Sequence, residues 1–150
     1  MRLRPMLLAA VVAAPLLAAA QIAARCEVTT VADPDKWIET ALTSISAGKT
    51  DEFAHSYLKM IDKESVFDSF AASIQGLSRI GHPAFMEKVS DVKFGTALRE
   101  VMYVALYKGS DYIYFKFTIK KHIKGWLVSN FAFRSEAAGL FPQGFAPPAP

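Results

Sequence analysis

Cysteine is nearly absent: Cys26 is the sole example in 150 residues, so no disulfide can form within the chain. Stability has to come from packing. The three histidines, His55, His82 and His122, lie far apart with no metal-ligand spacing, so no metal site is expected. His122 falls in an expected hairpin loop and His82 precedes a proline, which are solvated positions. There is no glycine-rich phosphate loop, and Ser44 and Ser129 stand in no nucleophile context. No catalytic residue and no cofactor can be assigned.

One long apolar run is present, at the N-terminus. Arg2 and Arg4 precede an alanine- and leucine-rich stretch from Met6 to Ala20, followed by small residues suited to cleavage at Ala18-Ala19-Ala20 or Ile22-Ala23-Ala24. Residues 1–24 read as a signal peptide, which implies a periplasmic or secreted protein without a membrane span after cleavage. Pro15 and the alanine content argue against a retained anchor. A lipid attached at Cys26 would want a small residue before it, where the chain has Arg25.

Loss of Arg2 and Arg4 brings basic and acidic residues close to balance, so the high isoelectric point of the precursor says little about partners. The remaining charge is uneven. Residues 97–135 carry Arg99, Lys108, Lys116, Lys120, Lys121, Lys124 and Arg134 against Glu100 and Asp111. This is a basic sheet region after a mildly acidic helical one.

The length suits one domain with a single core, over 25–136. Asp33-Pro34 predicts an N-cap with proline at the first helical position, opening a helix to about Ala47 whose stripe is Trp37, Ile38, Ala41, Leu42 and Ile45. Gly48 is placed to end it. Thr50 predicts the cap of a second helix with Phe53, Tyr57, Leu58 and Ile61. A third, capped by Asp62, runs from about Lys63 to Ile80 with Val66, Phe67, Phe70, Ile74 and Leu77 on one face. Gly81-His82-Pro83 stops it. Val92 to Phe94 reads as a first strand, while FMEKV before it fits either a strand or a helical turn. Residues 137–150 hold half of the chain's prolines and read as a disordered tail.

Leu98–Lys108, Asp111–Lys121 and Gly125–Phe133 are rich in Val, Ile, Tyr, Phe and Trp and predict three consecutive antiparallel strands. The fold class is therefore α+β, with amphipathic helices packed on a curved antiparallel meander of about four strands. Gly109-Ser110 suits a two-residue turn, pairing Leu106 with Ile113, Val104 with Phe115 and Met102 with Phe117. That register makes one face apolar, with Glu100 near Ile119 and Ser129 near Phe117 as polar exceptions. The other face carries Tyr103, Tyr107, Tyr112 and Tyr114 with Arg99, Lys116 and Lys120. A three- or five-residue loop around His122–Lys124 keeps Ile119 with Leu127 and Phe115 with Phe131. Trp126 then comes near Lys120, and Arg134 near Tyr112.

Helices before a long meander, the pattern DPDKWIETALTSISAGK, and the closing GW-LVSNFAF resemble the nuclear transport factor 2-like superfamily, and within it small secreted bacterial members of unknown function. The resemblance implies a cone-shaped α+β fold that hosts ketosteroid isomerase-like enzymes, dehydratases and non-catalytic members. The isomerase pattern needs a carboxylate base and a Tyr or protonated Asp donor inside the cone. Glu100 is the only acid that this register puts on the apolar face.

The functional expectation is a non-catalytic ligand-binding or protein-interaction module, the alternative being a small isomerase- or dehydratase-like enzyme using the cone interior. Candidate ligand-binding residues are Glu100, Ser129, Tyr103, Tyr114, Lys116 and Trp126. Aromatics interleaved with basic residues can bind bases or phosphates, but an exported protein seldom meets nucleic acid. A tyrosine-rich sheet face also suits a homodimer, and a small apolar or anionic ligand is the other expected partner. Export with cleavage predicts that mass spectrometry of the mature protein finds its N-terminus between Gln21 and Cys26. Intact Met1 in the membrane fraction would contradict it.

Overall fold

The structure is a computed structural model that describes residues 28–108, 111–137 and 140. The expected signal segment, Cys26, the Gly109-Ser110 turn and the tail from Phe141 onward lie outside the described residues. Three helices come first, α1 (Pro34–Ser46), α2 (Thr50–Met60) and α3 (Phe67–Arg79), the last preceded by a 3-10 turn at Glu64–Val66. Four strands follow: β1 (Phe85–Phe94), β2 (Leu98–Leu106), β3 (Tyr112–His122) and β4 (Gly125–Arg134). They form one antiparallel sheet in the order β1-β2-β3-β4, curved and unclosed, with the helices packed on one face. This is the expected α+β class.

Local signals explain the first helix. The Asp33 side chain accepts a hydrogen bond from the Lys36 backbone N–H at 3.1 Å, with Pro34 at the first position. Ile38, Ala41, Leu42 and Ile45 are buried at helical spacing. Gly48, at φ 75°, turns the chain out of the helix in a conformation that costs glycine nothing. Two expected caps differ. Thr50 is the first helical residue of α2 and is buried, and Asp62 adopts φ 55° in the link to the 3-10 turn instead of capping α3.

The region from Phe85 to Phe94 is one strand throughout, interrupted by a bulge at Val89. A bulge puts one extra residue into the strand and reverses its side-chain alternation, which hides the strand pattern in the sequence.

The β2–β3 register differs from expectation by one residue. Leu106 pairs with Tyr112, Tyr103 with Phe115 and Val101 with Phe117. Tyr107 donates its backbone N–H to Asp111, so three residues separate the paired ends where two were expected. A one-residue slip inverts a strand face. Val101, Tyr103, Ala105 and Tyr107 therefore point to the helices, and Met102 and Val104 to the outer side. The four tyrosines do not share a face: Tyr103 and Tyr107 are in the main core, while Tyr112 and Tyr114 lie outside.

In the β3–β4 hairpin the loop is short, since His122 pairs with Gly125. The odd residue demanded by the alternation is Ser129, which bulges between Thr118–Asn130 and Ile119–Val128. Val128, not Leu127, opposes Ile119. Beyond the bulge Phe117 meets Phe131 and Phe115 meets Phe133.

Phe131 is the hub of the main core. Its ring lies 4.8 Å from Phe53 edge-on and 5.1 Å from Phe117, with Phe115, Tyr57 and Phe70 beyond. Its backbone N–H donates to the Tyr57 hydroxyl at 3.1 Å, and that of Val128 to the Met60 sulfur at 3.1 Å. A smaller cluster forms on the outer side, where Leu140 and Ala137 cover Met102, Val104 and Tyr114. The start of the expected disordered tail thus packs on the sheet.

Phe117→Ala and Phe131→Ala should each destabilise the fold by about 3–5 kcal/mol in urea unfolding. A loss below about 1 kcal/mol, as at surface sites, would mean that these rings do not face the core.

Candidate functional site

Polar side chains converge on the outer face of the sheet. The pleat sends Glu100 of β2 and Lys116 and Thr118 of β3 to that side, with Asn130 and Arg134 of β4 beside them. Glu100 pairs across the strands with Thr118, and Lys116 with Met102 and Ala132. The Lys116 ammonium reaches the Glu100 carboxylate diagonally at 3.0 Å, both side chains being about one-fifth exposed (21% and 22%). An open groove of about 480 Å³ runs past them, lined also by Ala132, Phe133 and Leu140 and, around the β4 edge, by Phe70 and Ser73. That volume lies in the range of small-molecule clefts, about 300–1,000 Å³. One acid faces two bases across it, so the charged side chains of its lining sum to a net positive charge.

The six candidate residues divide. Glu100 and Lys116 come together in the groove, and Glu100 faces away from the helices, contrary to the register that put it beside the apolar face. Tyr114 shares that side but is buried beneath Leu140, and burial pushes its phenol up. Ser129 sits in the bulge, where its hydroxyl donates to the Thr118 carbonyl at 3.2 Å, a structural role. Trp126 lies towards the Ile123–Lys124 turn, bridged to Val31, with the Lys121 ammonium and not Lys120 over its ring at 4.4 Å.

Tyr103 lies on the helix side. It lines a separate cleft of about 450 Å³ between α1 and β1, with Glu39, Leu42, Ser46, Pro83 and Met86. Burial pushes its phenol up, and the negative charge of Glu39 adds to this. Deeper in, the hydroxyls of Tyr107 and Ser46 are buried side by side, and burial raises the Tyr107 phenol too.

A second charged cluster joins α1 to the sheet. Arg99 donates to Asp35 through two nitrogens at 2.7 and 2.8 Å and to Asp91 through Nε at 2.6 Å and through Nη2. Lys88 stands 3.4 Å from Asp91 and 3.7 Å from Asp35. Hydrogen bonds from Arg99 hold both carboxyls below the usual range, against the opposing effect of burial. The sequence reading put Arg99 on the outer face because of the slipped register, so this cluster was missed. Among the described residues no group of three or more His, Cys, Asp or Glu could hold a metal ion.

Compared with protein-family models, curated proteins and solved structures, the chain matches none.

The cluster predicts acid lability. The folded state binds fewer protons at Asp35 and Asp91 than the unfolded chain does, so their contribution is complete above about pH 5. It is lost as pH falls through about 4 and on through the depressed folded values. Arg99→Met should cost about 1–2 kcal/mol at pH 7, between exposed and buried pairs. Thermal melts from pH 7 to 3 should show a shallower decline for this variant. An unchanged pH profile would show that the cluster contributes nothing.

Proposed function

We propose that this chain is an exported, non-catalytic binding module of the nuclear transport factor 2-like kind, and that the outer-face groove takes an anionic ligand. The observation that carries this reading is the Glu100–Lys116 pair in an open groove whose other charged side chain is Arg134. The ion pair with Glu100 holds Lys116 in place, which lowers the ordering cost of binding. Thr118 and Asn130 add neutral hydrogen-bonding groups beside it. The arrangement of helices and sheet also supports the kinship.

The alternative, an isomerase- or dehydratase-like enzyme working inside the cone, has less support. The space between helices and sheet is packed with Phe53, Tyr57, Phe115, Phe117 and Phe131. Asp35 and Asp91, the acids tied to the helix side of the sheet, are held ionised by Arg99, which weakens them as proton acceptors.

The test is titration of labelled protein with polyglycerol phosphate at low salt, followed by amide NMR shifts. Shifts at Thr118, Asn130 and Arg134, and about tenfold weaker binding in Lys116→Gln/Arg134→Gln, are expected, roughly 1.4 kcal/mol. Binding should also weaken as salt is raised. No binding at low salt, or shifts confined to the α1–β1 cleft, would overturn the reading.

A further inference from the structure

The two edges of the sheet are treated differently. Along β4, α2 and the N-terminal segment supply partners for backbone groups: Val31 exchanges hydrogen bonds with Trp126 at 2.8 Å, Met60 accepts from Val128, and Tyr57 accepts from Phe131. β1 is the other edge, and its only strand neighbour among the described residues is β2. It is ten residues long, and most of its side chains are exposed. Its pleat turns Val92 and Phe94 to the outer side, where they are 37% and 51% exposed, and Phe85, at the start of the strand, is 40% exposed and also borders the α1–β1 cleft. A long edge strand is a template for another strand. β1 carries Glu87, Lys88, Asp91 and Lys93 and a bulge, devices that blunt such an edge, yet beside them it exposes large apolar side chains.

We propose that two copies of this chain pair through their β1 edges, antiparallel about Ser90, to form one continuous sheet. The bulge at Val89 restricts which registers are possible, because facing residues must point to the same side of the sheet. Centring the two-fold axis on Ser90 satisfies this along the whole strand. Lys88 of each copy then faces Asp91 of the other, and Phe85 faces Phe94. The first pair matches opposite charges directly across the strands, and the second sets two exposed rings opposite one another. The Arg99–Asp35–Asp91–Lys88 cluster of each copy thereby meets its counterpart at the seam. A contact that uses the same strand from both subunits closes on itself as a dimer. This interface is separate from the groove and does not depend on the ligand reading.

Sedimentation of the full-length gene product, purified as the cell processes it, should give a dimer at tens of micromolar protein. Phe94→Lys and Val92→Lys should each weaken the dimer at least tenfold while circular dichroism remains unchanged. In a Cys26→Ser background, Ser90→Cys should form a disulfide-linked dimer under mild oxidation, since directly opposed residues approach closely enough. Val92→Cys, which faces Glu87, should not. A monomer at hundreds of micromolar overturns the proposal. So does a dimer indifferent to both lysine variants, or one that crosslinks through Val92→Cys and not through Ser90→Cys.

Discussion

The bulge at Ser129 decides which side chains of β4 meet the helices, because one added residue reverses the alternation on one side of it. On the turn side of the bulge the strand presents Val128 inward. Past it the strand presents Phe131 and Phe133 inward. Without the inserted residue, a strand paired from His122–Gly125 would send Phe131 to the outer side and Asn130 into the core. The same insertion bends the strand, and α2 supplies partners at its two ends through the Met60 sulfur and the Tyr57 hydroxyl. Packing, backbone hydrogen bonding and curvature thus meet at one place.

Charge is distributed to suit this plan. Arg99 would be costly to enclose unpaired, since its side chain is only 13% exposed. Asp35 at the start of α1 and Asp91 on β1 both bind it, so one guanidinium ties the first helix to the first two strands. On the outer side the pair Glu100–Lys116 lies beside an apolar cluster, Met102, Val104 and Tyr114, that Leu140 and Ala137 cover. The two faces therefore hold acids in opposite settings, one locked to structure and the other beside an open groove.

The first helix was legible because capping and spacing agreed: Asp33, Pro34 and Gly48 bound α1, and its apolar stripe fills the core; α2 and α3 were legible from spacing alone. β3 was legible for a similar reason, since Phe115, Phe117 and Ile119 alternate with Lys116, Thr118 and Lys120. β2 was not. Met102 and Val104 are buried on one side and Val101, Tyr103 and Ala105 on the other, so the strand carries no two-residue period to orient it. Its face was inferred from a turn length, and one extra residue in that turn reversed it. Glu100 and Lys116 were singled out on opposite faces and still came together, because the true register moves Glu100 to the outer side beside Lys116. Thr118 and Asn130 carried no pattern of their own, while Arg99 and Arg134 were read only as basic members of the tyrosine-rich face, and the pairing gave them their neighbours.

Every strand pairs with its neighbour in the sequence, so most of the sheet forms through short chain closures. The core is different, because Phe131 belongs to the last strand and touches residues from α2, α3 and β3. A ribosome delivering the chain from its N-terminus releases three amphipathic helices long before the residue around which they pack. Those helices have no finished core to settle on while synthesis continues. The order of elements therefore leaves the core unfinished until β4 has emerged.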